Sequence, residues 1–114
     1  MLKILGKAAS LNVRKVLWTC SELDIPFKRE DWGAGFQSPQ QEAFLALNPN
    51  ATVPVIVDGD FVLWESNAIC RYLCANSAEQ HLLPPTPRAR ALVEQWMDWQ
   101  ATELNNAWRY AFMG

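Results

Sequence analysis

Ser10, Asn12, Glu65 and Ser66 stand where side chains do chemistry, at the predicted starts of helices in a chain of 114 residues. Ser10-Leu11-Asn12 leads into apolar residues at Val13, Val16, Leu17, Cys20 and Leu23, a spacing that predicts an amphipathic helix. Asp24-Ile25-Pro26 stops it. Glu65-Ser66 leads into AICRYLCA, a second helix that Ser66 would cap. The first backbone N–H groups of a helix have no partner within it, so two such ends side by side, with hydroxyls among them, make a pocket suited to an anion. Each residue also has a local reading. Ser10 or Asn12 could be only a cap, Glu65-Ser66 only a turn into a helix, and Pro54 serves the backbone under either reading.

The elements that must position these residues follow from the rest of the pattern. Residues 2–5 (LKIL) read as a strand, and 27–32 (FKREDW) as a second strand, parallel to the first because a helix separates them. Gly33-Ala34-Gly35 opens a loop, and Gln40 to Leu47 forms a short helix stopped by Asn48-Pro49. In TVPVIV-DGD-FVL two β-rich runs flank Asp58-Gly59, a strong hairpin signal, with Pro54 at the front of the first run. The order β-α-β-α-β-β-α predicts an α/β fold with a mixed sheet, and it brings Ser10-Leu11-Asn12, Val53-Pro54 and Glu65-Ser66 to one end of that sheet. A proline-rich linker over 79–87 follows, then one long helix over 88–114. Leu92, Val93, Trp96, Met97, Trp99, Leu104, Trp108 and Phe112 spread around that helix, which therefore needs partners on several sides. Pairing of two copies through 88–114 would cover such a surface.

Composition excludes several classes of function. Half the residues are hydrophobic and 19% are charged, which argues against disorder. The net charge is −2, with no basic stripe, so nucleic-acid binding is not expected. No apolar run approaches the roughly 18 residues of a membrane span, and MLKILGKAAS is not a signal peptide. The three cysteines, Cys20, Cys70 and Cys74, have no disulfide-scaffold spacing and read as small buried hydrophobes in a reducing cytoplasm. His81 has no second ligand nearby, so no metal site is expected.

The Ser-x-Asn at the first helix, the block LNPNATVPVIVDGDFVLWESNAICRYL and the proline linker before EQWMDW together resemble the glutathione S-transferase family, above all bacterial cytosolic members that use Ser and the nu class. The resemblance implies a thioredoxin-like glutathione-binding domain over 1–78. It makes 88–114 the first helix of an all-α domain that continues further in the family. It implies that Pro54 follows a cis bond and that the Val53 backbone pairs with the cysteinyl part of glutathione. Glu65 would take the ammonium of the γ-glutamyl end, and Ser66 its α-carboxylate. Ser10, with Asn12 as second donor or alternative, would act on the thiol. Gln37, Gln40 and Gln41 lie where the family often holds the glycine carboxylate. The implied activity is attack of the glutathione thiolate on a small electrophile or a disulfide, with no metal. Whether the chain turns over is left open, because most of the second-substrate domain is not in it. A non-catalytic interaction or dimerisation module on the same fold is the alternative.

Overall fold

Leu2, Ile4 and Leu5 are buried while Lys3 is exposed, as in a strand covered on both faces. Leu2–Leu5 is strand β1, the centre of a four-stranded sheet of order β2-β1-β3-β4, and α1 spans Leu11–Glu22. β2 (Phe27–Glu30) lies parallel to β1; β3 (Val55–Asp58) lies antiparallel to it and pairs in turn with β4 (Phe61–Trp64). α2 (Glu42–Leu45) connects β2 to β3, and α3 (Ser66–Ala75) follows β4. A computed structural model of the chain describes residues 1–33, 35–77 and 82–104. They fall in two units, Met1–Glu79 and Gln80–Gly114.

The expected β-α-β-α-β-β-α order is the one observed, with differences at element ends. β2 stops at Glu30, short of the expected Trp32, because the regular ladder with β1 ends at the Leu5–Glu30 pair, where the chain turns out of the strand at Gly6. Trp32 instead turns its ring against Phe44 of α2, with centroids 5.0 Å apart. α2 is a single turn; Gln41 before it is still extended, so Gln40 and Gln41 lie outside the helix expected there. In the hairpin Asp58 pairs with Phe61, which makes Gly59-Asp60 the two turn residues, one place beyond the expected pair. Gly59 takes φ 64°, the left-handed conformation such a turn requires.

Strand alternation divides the core between two faces. Leu5 and Val55 cluster with Trp32 and Phe44 on one face, beside Leu47, Val53 and Val62. Ile4 and Ile56 point to the other face and are fully buried, as are Val13, Val16 and Cys20 of α1 and Ile69 of α3. All three cysteines are buried, and none forms a disulfide with another.

Burial has a consequence for pH. Loss of its hydration, reinforced by the nearby Cys70 sulfur, pushes the Cys20 thiol up from 9.0 to about 11. The native state then holds a proton that the unfolded chain releases above pH 9, so this stabilisation is full below the unfolded value and lost as pH rises towards 11. Two units correspond to about 2–3 kcal/mol. Cys70 and Tyr72, both raised, act in the same direction, and the lowered Lys15 opposes them. Urea denaturation at pH 8 and pH 11 is expected to show a smaller alkaline loss of stability for Cys20→Ala than for the unchanged chain. Equal losses would refute the assignment.

In the second unit, α4 spans Pro87–Trp99 and opens one residue earlier than expected. Pro87 is its first residue, where the missing N–H costs nothing, and Thr86 occupies the cap position. The helix passes into a π-helical turn over Gln100–Leu104. No residue of α4 is buried, and Leu92, Trp96 and Trp99 are exposed on one stripe. His81 and the stretch 105–114, with Trp108 and Phe112, lie outside the described residues. Among the described residues no helix is long and apolar enough to cross a membrane, and no group of three His, Cys, Asp or Glu could hold a metal.

Candidate functional site

One row of the sheet sets the position of the site. Glu30, Leu5, Val55 and Trp64 are in register across the four strands, at the end where β1 leaves the sheet. The chain after Leu5 runs through Gly6 to Ser10, the chain before Val55 is Val53-Pro54, and the chain after Trp64 is Glu65-Ser66. Ser10, Asn12, Val53, Pro54, Glu65 and Ser66 are thereby brought to the same end of the same sheet. The β1 exit is held there by bonds from the Gly6 N–H to the Glu30 carbonyl (2.8 Å) and from the Lys7 N–H to the Trp32 carbonyl (2.9 Å).

Ser10 occupies the cap position of α1 in extended conformation, φ −68° and ψ 131°, and its carbonyl accepts from the Arg14 N–H at 2.9 Å. Its side chain makes no capping hydrogen bond. A serine at this position ordinarily spends its oxygen on the N–H groups of the first turn. Here the hydroxyl and those N–H groups remain available together. Asn12, in that first turn, has a buried Oδ1 that no hydrogen-bond donor reaches. A buried acceptor without a partner costs about 1–3 kcal/mol, so Asn12 is a polar group that the fold itself does not satisfy. The carbonyl end of Asn12 as placed calls for a donor, and a half-turn of the amide would offer one instead.

The Val53–Pro54 peptide bond is cis, as the family resemblance implies. The loop before it is organised by Asn48, which is fully buried. Its Nδ2 donates to the Thr52 carbonyl at 2.9 Å and to the Thr52 hydroxyl at 3.2 Å, while its Oδ1 accepts from the Asn50 N–H and Nδ2, both at 3.0 Å. Pro54 and Val55 are buried behind it. Asn48 entered the sequence reading only as a helix stop; the buried network has no local sequence signal.

Glu65, expected to precede the cap, is itself the cap residue of α3, and Ser66 is the first helical residue. The reason is backbone geometry: Glu65 adopts φ 77° and ψ 111°, outside the helical region, while Ser66 is already helical. A non-glycine residue with positive φ costs on the order of 1–3 kcal/mol and is found where something over-determines it. Glu65 is exposed, without a side-chain capping bond, and Ser66 is buried beside the free N–H groups of the first turn. An exposed carboxylate next to a buried hydroxyl and a helix N-terminus pairs a cation site with an anion site.

The three glutamines are scattered. Gln37 donates to the Asp31 carbonyl at 3.5 Å, and Gln40 and Gln41 are exposed before α2. Behind Glu65-Ser66 lies a polar seam between α1 and α3, missed in the sequence because lysine and asparagine on a helix read as surface. Lys15 Nζ donates to Asn67 Oδ1 at 2.6 Å. Loss of hydration lowers the Lys15 pKa, while Cys70 and Glu65 raise it and Arg71 lowers it further.

Comparison with known proteins agrees with this geometry. Residues 9–76 match the family model described as glutathione S-transferase, N-terminal domain. Glutathione S-transferase GstB of Escherichia coli (strain K12) is 43% identical over 116 residues, covering 100% of this chain and 56% of its own length. Glutathione S-transferase F9 of Arabidopsis thaliana is 46% identical over 104 residues, covering 90% of this chain and 48% of its own. Among solved structures, the theta class glutathione S-transferase of Xanthomonas axonopodis pv. citri, with glutathione bound, superposes with a TM-score of 0.90 at 42% identity, over 95% of this chain and 52% of that one. The chain spans about half the length of the relatives it matches. The thioredoxin-like sheet and the match across its site-bearing stretch give one conclusion: the chain belongs to the glutathione S-transferase family.

Proposed function

We propose that residues 1–78 bind glutathione at the sheet end built by Ser10, Asn12, Val53, Pro54, Glu65 and Ser66, and that Ser10 activates its thiol for attack on a small electrophile or a disulfide. The observation that carries this reading is the unspent Ser10 hydroxyl at the α1 N-terminus, in the same first turn as Asn12. Glutathione fits the polarity of the site. Glu65 takes the ammonium of the γ-glutamyl end, and Ser66 with the α3 N-terminus takes its carboxylate. The Val53 backbone pairs with the cysteinyl unit. Ser10 donates to the sulfur, which favours loss of the thiol proton to solvent. The sulfur then forms its bond to the electrophilic atom as the leaving group departs with its electron pair. The nucleophile is the ligand's own, so the chain supplies positioning and charge stabilisation rather than a covalent residue.

The relatives act as longer chains, so turnover by these 114 residues is the more demanding half of the proposal. The exposed stripe of Leu92, Trp96 and Trp99 supports self-association through residues 88–114, and a cytoplasmic setting is part of the same proposal. Retention on immobilised glutathione tests the binding reading. The unchanged chain is expected to be held and eluted by free glutathione, and Glu65→Ala combined with Ser66→Ala to pass through at unchanged thermal stability. An unchanged chain that fails to bind at millimolar glutathione would sink it.

A further inference from the structure

The seam between α1 and α3 contains a group the proposed chemistry does not use. Lys15 follows Asn12 by three residues and precedes Thr19 by four, so the three share one face of α1. Across from them stand Asn67 and Cys70 of α3, one turn apart. Lys15 Nζ donates to Asn67 Oδ1 at 2.6 Å. The Thr19 hydroxyl lies 2.9 Å from the Lys15 carbonyl and 3.3 Å from the Cys70 sulfur, and the Cys70 thiol lies 3.8 Å from the same carbonyl. The contact ties the second turn of α1 to the first turn of α3. Asn67 is the residue after Ser66, and Glu65 before it holds the positive-φ conformation.

We propose that Lys15 is a positioning residue for the γ-glutamyl end of glutathione: by holding Asn67 it fixes the first turn of α3, so that Glu65 and Ser66 stay in ligand-binding geometry. The inference rests on the glutathione-binding reading above. Its physical basis is that a half-buried ammonium in a helix seam stabilises little by itself, since an apolar pair of similar size packs as well without the loss of hydration. What a directed N–H···O bond adds is a fixed relative placement of two helix N-termini, both of which face the ligand. The charge also acts on Glu65, whose attraction works against the loss of hydration felt by Lys15, with Arg71 opposing it and Cys70 adding to it.

The test is calorimetric titration of the full chain with S-methylglutathione, whose sulfur cannot ionise. Lys15→Met, which keeps the length of the side chain, is expected to weaken binding by about tenfold at an unchanged urea midpoint. Lys15→Arg keeps charge and donors and is expected to restore affinity to within roughly threefold. Asn67→Ala should match the loss of Lys15→Met, and the double variant should lose no more than the larger single change, because both break one contact. If Lys15→Met does not fold, Asn67→Ala with Lys15→Arg reads the same contact from its other side. Equal affinity of Lys15→Met and the unchanged chain, a loss that Arg does not restore, or fully additive losses would each overturn the positioning role while leaving glutathione binding intact. Failure of the unchanged chain to bind overturns the glutathione reading first, and this inference with it.

Discussion

Gly6→Ala is expected to lower stability by roughly 3–5 kcal/mol and to abolish retention on glutathione in whatever fraction still folds. Gly6 is the first residue beyond β1 and has φ 151°. A Cβ built on it would lie 2.5 Å from Val13 Cγ2 of α1 and 3.2 Å from Val53 Cβ before the cis bond. Neither neighbour can yield. Val13 is fully buried, and a valine in a helix has essentially one rotamer. Val53 is anchored through the Asn48 network to the loop that presents it. The added methyl must therefore push α1 or the Val53-Pro54 segment outward, and these carry two of the three parts of the site. Gly59→Ala is the control: its φ of 64° imposes backbone strain, but no atom lies within 4 Å of its added Cβ. Urea denaturation of both variants separates conformational strain from overpacking. A Gly6→Ala cost no greater than that of Gly59→Ala would show that the close approach does not matter.

Ser10→Ala is expected to raise the thiol pKa of bound glutathione by about one to two units while changing its affinity little. A thiol of pKa about 8.5 is only a few per cent ionised at neutral pH. A hydrogen bond to the charged form is worth roughly 1.5–3 kcal/mol, and one pKa unit is 1.36 kcal/mol. The N–H groups of the α1 N-terminus remain in the variant and keep roughly 0.3–1 kcal/mol of the effect. Ultraviolet titration of the bound thiolate reads the shift directly, without requiring turnover. If the pKa does not move, Ser10 is a cap residue and the search passes to Asn12, where Asn12→Ala in the same titration gives the answer. The affinity should hold because the proposed grip on the γ-glutamyl end lies elsewhere, at Glu65 and Ser66.

The fold was legible wherever the determinant was local. Alternation in LKIL, the apolar stripe of α1, the turn residues around Gly59 and the proline before α4 each act within a few residues, and β1, α1, the hairpin turn and the start of α4 each lie within a residue or two of the expected place. Misplaced ends have a common cause. β2 stops where its partner β1 stops, and α3 begins one residue earlier than a Ser66 cap suggests because Glu65, held at φ 77°, takes the cap position itself. The convergence was legible in the element order: Ser10, Asn12, Val53, Pro54, Glu65 and Ser66 all lie at one end of the sheet. Their supports were not. Asn48 looked like a helix stop and Lys15 carried no signal of its own, since burial of a polar side chain depends on what packs over it, from more than 50 residues away in the case of Lys15 and Asn67.

The sequence by itself determined the order of elements, the hydroxyl and carboxylate at two helix starts, and membership of the glutathione S-transferase family. These follow from short-range periodicity, turn chemistry and a dense motif. The tertiary structure decided which of those groups are free to act. It left the Ser10 hydroxyl out of its cap, left Asn12 Oδ1 without a donor, held Glu65 at positive φ and drew Lys15 into the seam behind it. Availability of a polar group is a property of its surroundings, and those are assembled only when strands distant in sequence come into register.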